Sequence, residues 1–120
     1  MSTHTLTARD LLQFTGSEHW YRHALVRGVT FTDGVKHVAD AGGAYWLIDE
    51  IAFAQVKPII AHEAFQLWRL TLKENRSARL VCEDGNGRAV WRKHIPWTDF
   101  PMAELSLYCV NRVIHLPSEY

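Results

Sequence analysis

The chain has 120 residues, 48% apolar and 22% charged, with five Trp, five Phe and four Tyr; this is the composition of one globular domain and it excludes a disordered chain. Thirteen basic residues balance thirteen acidic ones. Zero net charge excludes a general nucleic-acid coat and an acidic mimic of DNA, since each needs an excess of one sign.

Residues 1–120 read as a single domain, without repeat, linker or low-complexity tract. A short helix is predicted over Thr7 to Phe14, with Thr7 as its cap, Asp10 three residues on where a capping box holds its acid, and Gly16 as its stop. Segment 18–23 is open between helix and strand. Ala24 to Thr32 reads as a strand, with Val29 and Phe31 alternating against Thr30 and Thr32, and Asp33-Gly34 as a turn. Val35 to Ala41 reads as one or two helical turns closed by Gly42-Gly43. Ala44 to Val56 is the main predicted helix, ending before Pro58 because the residue preceding proline avoids helical dihedrals.

From Phe65 onward the pattern changes to strands: Phe65 to Lys73, Ala78 to Asp84, Arg88 to Ile95, Glu104 to Val110 and Val113 to Leu116. Gly85-Asn86-Gly87 is the clearest hairpin signal, because these residues tolerate positive φ. Asn75-Arg76-Ser77 and Asn111-Arg112 read as turns, and Pro96 to Pro101 as a corner. The expected fold class is α+β, with N-terminal helices packed on a C-terminal antiparallel β-meander. Val113 to Leu116 should be the closing strand and Pro117 to Tyr120 should be ordered, its terminal Tyr seeking burial and its carboxylate a partner such as Arg22 or His23.

Two cysteines, Cys82 and Cys109, are too few for a disulfide framework and read as buried thiols; one bridge would require neighbouring strands. The first ten residues lack the basic and apolar regions of a signal peptide, and no apolar run reaches the roughly 20 residues that span a bilayer. The expectation is a cytoplasmic protein with no membrane contact.

No complete catalytic constellation emerges, and no cofactor is called for. Asp49-Glu50 follows an apolar run, as magnesium-holding acids do in nucleotide hydrolases, but no phosphate-cradling loop accompanies it. On a helix, Trp46, Asp49, Glu50 and Phe53 share one face, an acidic pair framed by aromatics. Glu18-His19-Trp20-Tyr21-Arg22-His23 is the other dense run; on a helix His19 and His23 would be adjacent, with Glu18, His37 or His62 as a third ligand. Two readings follow. The first is partner binding through Glu18, Trp20, Tyr21, Arg22, His23, Trp46, Asp49, Glu50 and Phe53. The second is a small metal-dependent hydrolase or nuclease using Asp49, Glu50 and a histidine from 19, 23 or 62.

Charge is uneven along the chain. Segment 69–94 holds seven basic residues against three acidic ones, and segment 33–63 five acidic against two basic. A basic sheet face through Arg79, Arg88, Arg92 and Lys93 could hold single-stranded nucleic acid, but Trp91 falls on the opposite face, so nucleic acid is the weaker expectation. Arg79, Val81, Val90 and Arg92 are expected together on that face. A homodimer through a sheet edge is a further expectation.

Three stretches together, Gln13 to His23, Gly42-Gly43-Ala44-Tyr45-Trp46-Leu47-Ile48-Asp49-Glu50-Ile51 and Leu116-Pro117-Ser118-Glu119-Tyr120, resemble a family of small bacterial proteins of unknown function carried on plasmids and prophages. The similarity runs nearly end to end and includes the Cys82 to Gly87 hairpin. The resemblance implies a mobile-element setting, where small single-domain proteins inhibit host defence systems, anti-CRISPR proteins among them, by binding a protein partner. It carries over no catalytic residue.

Overall fold

The computed structural model describes residues 6–16 and 19–120. Helix α1 spans Ala8–Leu11. Its capping box forms as the sequence suggests: the Thr7 N–H donates to Asp10 at 3.0 Å, and the Thr7 hydroxyl accepts from the Asp10 N–H at 3.4 Å. The helix stops at a Leu12 cap, short of Gly16. Segment 20–22 is a strand, β1 (Trp20–Arg22), and β2 is only Thr30–Thr32. Residues 24–29 curl instead of extending, because the His23 Nδ1 accepts from the N–H groups of Leu25 and Val26 and Gly28 takes a φ of 80°.

Asp33-Gly34 is not a turn. The Thr32 hydroxyl accepts from the Val35 N–H, so these residues open helix α2 (Asp33–Gly42), which Gly43 closes at a φ of 62°. Helix α3 (Tyr45–Ala54) buries Leu47, Ile48, Ile51 and Ala52. Pro58 then serves as the first residue of a further short helix, α4 (Pro58–Ala61), since its missing N–H costs nothing there.

The remaining strands are β3 (Phe65–Leu72), β4 (Ala78–Glu83), β5 (Ala89–Ile95), β6 (Glu104–Val110) and β7 (Val113–His115), followed by a 3-10 turn at Pro117–Glu119. The class is α+β, but the expected meander is corrected. All seven strands form one mixed sheet in the order β1-β2-β7-β6-β3-β4-β5, with β2 and β7 parallel. Strands β3, β4 and β5 run as hairpins, and β6 returns to lie beside β3, the Greek-key order. Arg76 pins that return. It has a φ of 68°, and its guanidinium donates to the carbonyls of Thr98 at 3.0 Å and Phe100 at 2.6 Å. The segment leaving β5 is thereby held against the β3–β4 turn and delivered to the far side of β3.

The core lies between the helices and one face of the sheet. Trp68, Leu70, Leu80, Cys82, Leu107, Cys109 and Ile114 meet Val35, Val38, Leu47, Ile48, Ile51 and Ile60 there. Its one polar knot is satisfied. The amides of Gln55 and Gln66 bond each other reciprocally at 2.8 and 3.0 Å, Gln66 also donates to the Ile60 carbonyl, and the Trp68 indole N–H donates to Gln66 at 2.9 Å. Cys82 and Cys109 are buried and unbridged, on β4 and β6 with β3 between them. No described helix is long and apolar enough to cross a membrane.

Candidate functional site

Alternation along the strands divides the sheet into two faces. Gln66, Trp68 and Leu70 of β3 point at the helices; Phe65, Leu67, Arg69 and Thr71 point the other way. The register extends this second face across the sheet. Arg22, Thr30, Val113, Val110 and Phe65 make one row, and His115, Tyr108, Leu67 and Glu83 the next. A third row runs Ser106, Arg69, Val81, Arg92, and a fourth Glu104, Thr71, Arg79, His94. The helices that pack the core, α2, α3 and α4, leave this face uncovered; α1 and the Pro117–Ser118 turn border it only at Glu104 and Ser106.

The open face has two halves. Its centre is aromatic. Phe65 and Tyr108 meet at 4.9 Å between ring centroids. Tyr120 lies flat on the His115 imidazole at 5.3 Å and edge-on to Tyr108 at 5.5 Å and Phe65 at 5.8 Å. Trp20 completes a shallow groove with Val110, Val113, His115 and Tyr120. Trp20 is 64% exposed and Tyr120 72% exposed, which is unusual for side chains of this size. The 3-10 turn positions Tyr120, because the Glu119 carboxylate accepts from the Thr32 hydroxyl at 2.6 Å, the Gly34 N–H at 3.2 Å and the Leu116 N–H at 2.8 Å.

The other half is basic. Arg79, Arg92 and His94 are exposed around a second shallow groove that Lys73 also lines. Arg69 is paired with Glu83 at 3.5 Å. Among the described residues neither Arg79 nor Arg92 has an acidic partner within ion-pair distance. The expected face-sharing of Arg79, Val81 and Arg92 therefore holds, and Trp91 is on the opposite face against Trp68. Val90 is the extra residue of a β-bulge between Cys82 and Glu83 and packs on the core. Lys93 also lines this second groove but reaches it from the other face of the sheet, which corrects its expected place beside Arg79 and Arg92. Paired with Leu80, it faces the helices, where it bonds Glu50 at 2.5 Å. Arg88 sits exposed at the hairpin end, where its N–H and that of Asn86 donate to the Asp84 carboxylate and hold its pKa below the usual range.

The partner-binding residues read from sequence separate into two groups. Trp20 and Arg22 are on the open face. Tyr21 alternates to the helix side, stacked on Phe31 with the Lys36 ammonium over its ring. Asp33 beside it raises the Tyr21 phenol. His23 does meet the 46–53 segment: its Nε2 bonds Asp49 at 2.8 Å, and Phe53 packs edge-on against its ring. Trp46 is half-buried on the core and Glu50 is engaged by Lys93. This second group holds the β1–β2 connection and β5 to helix α3. Glu18 lies outside the described residues.

The hydrolase geometry does not assemble here. Segment 20–22 is a strand, so His19 and His23 are not stacked on a helix. Among the described residues no three His, Cys, Asp or Glu side chains converge as metal ligands. The His23–Asp49 pair is not poised as a general base, because the ring's other nitrogen already accepts two backbone N–H groups.

Residues 5–120 match DUF6876, described as a family of unknown function. The chain belongs to that family. No curated protein and no solved structure matches it. For this DUF6876 member the open face is therefore read from its own geometry. Sequence reasoning expected an ordered tail with Tyr120 seeking burial, whereas Tyr120 is largely exposed, and it missed Phe65, Leu67, Tyr108 and Val110. Their signal was available: β3 and β6 carry apolar side chains at both alternating sets of positions, which a strand with one solvated face does not need.

Proposed function

We propose that this protein is a non-enzymatic binding module that works through the open face of its sheet. One observation carries the reading. The two central strands and the end of the chain place Phe65, Leu67, Tyr108, Val110 and Tyr120 on a face that the core helices leave uncovered. Contiguous apolar surface of this kind marks an interaction site. The paired side chains of the α3 side fit a structural role, since each charge there is already answered by a neighbour.

The test compares surfaces. Tagged protein is used to capture partners from bacterial lysate, with a host defence effector, the partner suggested by the mobile-element resemblance, added as one purified candidate. Trp20→Ser/Leu67→Gln should abolish capture while the melting temperature stays near the parent value. Phe53→Ser/Val56→Ser, at and just beyond the end of α3 and both exposed, should leave capture intact. Capture that depends on Phe53 and Val56 and ignores Trp20 and Leu67 would overturn the proposal.

A further inference from the structure

We infer that the open face takes a single strand of nucleic acid, with bases laid on the aromatic half and phosphates on the arginine half. The inference rests on the open face being the working surface, and it names the occupant.

Net charge is zero, but the open face is not neutral. Its strand positions hold four arginines, Arg22, Arg69, Arg79 and Arg92, against two glutamates, Glu83 and Glu104. Glu83 is taken by Arg69. Arg79 and Arg92 sit at adjacent rows of the β4–β5 hairpin, exposed, with His94 opposite Arg79. Two cations with no ion-pair partner among the described residues, next to each other on a flat strand pair, suit successive phosphates.

Shape and ring chemistry supply the second half. Strands are spaced about 4.8 Å apart and two residues rise about 6.8 Å, so Tyr108 on β6 lies roughly 16 Å from Arg92 on β5, three strand steps across and one row along; Trp20, on the edge strand β1, is six steps and roughly 29 Å across the sheet from β5. A short stretch of extended strand spans that distance. Tyr120 is exposed and already packed on other rings, so a base laid on it would extend an existing stack, and Trp20 offers a second exposed ring across the groove. Base-on-aromatic stacking is tolerant of sequence because every base has a π-face. A duplex buries its base faces and could not use Trp20 or Tyr120. A protein partner would use the apolar residues but has no general need for the paired arginines.

The experiment is fluorescence anisotropy with labelled oligomers of roughly 12 nucleotides, within the usual range of site sizes. The probes are oligouridine RNA, oligothymidine DNA and a duplex of equal length. Both single strands should bind more tightly than the duplex, and the RNA and DNA arms show whether a 2′-hydroxyl contributes. Two phosphate contacts predict that log K falls with log salt at a slope of about −1.4. Arg79→Gln/Arg92→Gln should remove most of that slope. Trp20→Ala and Tyr120→Ala should each weaken binding roughly five- to 150-fold with the salt slope kept; both side chains are exposed, so folding survives. Equal or tighter duplex binding, or single-strand binding indifferent to Arg79 and Arg92, overturns the inference. If no oligomer binds but capture from lysate still depends on Trp20 and Leu67, the occupant is a protein and the binding face stands. If neither depends on the face, both readings fall.

Discussion

At the scale of the residue, the buried polar groups show how little slack the core allows. Gln66 serves four roles at once: it pairs with the Gln55 amide, donates to the carbonyls of Ile60 and Glu63, and accepts from the Trp68 indole. Gln66→Leu keeps the volume but leaves the Gln55 side-chain oxygen and the indole N–H without partners in a dry interior, while the Gln55 amide N–H keeps only the Ile51 carbonyl. The expected loss is about 1–3 kcal/mol for the orphaned groups, read from urea denaturation; a loss under about 0.5 kcal/mol would mean that water replaces the amide. The buried thiols make a pH-dependent case. Burial pushes Cys82 and Cys109 from an ordinary value of 9.0 up to about 12. The folded state thus keeps both protons to a higher pH than the unfolded state does. Their contribution to stability is level below pH 9 and falls as pH rises from there toward 12. Compared with Cys82→Ala/Cys109→Ala, the parent should lose stability more steeply over that window, and its thiols should react with a disulfide reagent only when denatured.

At the scale of the element, helix α2 is tied to the other end of the chain. Thr32 caps it, and the Glu119 carboxylate reaches the Thr32 hydroxyl and the Gly34 N–H, where a negative charge also suits the helix dipole. Gly34 is required there: a Cβ would stand 2.6 Å from Leu116 and 2.7 Å from Glu119. Thr32→Ala should cost about 0.5–2 kcal/mol. Glu119→Ala should cost a similar amount, and the double variant less than their sum, because the two side chains bond each other. Additive losses in thermal melts would show that they act separately. This contact was invisible in sequence, and so was the cap: helical turns were expected from Val35, but Asp33-Gly34 was read as a turn and Thr32 as the end of a strand. Local signals carried α2, α3 and the β3–β4–β5 hairpins: a periodic run, a glycine stop, and Gly85-Asn86-Gly87. Strand β1 has three residues, too few for alternation to register, while β2 was read from its alternation but drawn from Ala24, six residues too early. The return of β6 beside β3 depends on Arg76 gripping two distant carbonyls. For the same reason the candidate site was half legible. Trp20 and Arg22 were read as partner-binding residues and Arg79 and Arg92 as a basic sheet face, but their union with Phe65, Leu67 and Tyr108 in one surface exists only once the strand order is known.

At the scale of the whole molecule, the sheet is covered on one side only, and this asymmetry has an energetic signature. Side chains on the helix face are locked in a dry core, so Leu80→Ala or Leu107→Ala should cost about 2–5 kcal/mol through lost burial and the cavity left behind. Leu67 is on β3, the central strand between β4 and β6, yet its side chain faces the open side and is only partly buried. Leu67→Gln should therefore cost less than Leu80→Ala, about 1 kcal/mol for a half-buried leucine. Trp20→Ser should do the same. A pattern in which large apolar residues can be made polar at little cost is what surface kept for binding shows, since stability alone gives no reason to hold them there. Urea denaturation of the four variants at two protein concentrations is the check. If Leu67→Gln costs as much as Leu80→Ala and the parent's midpoint rises with concentration, a second copy of the chain covers the open face and stabilises it by mass action. Equal costs without concentration dependence would mean that the face is packed within the monomer, and it would no longer be a binding surface.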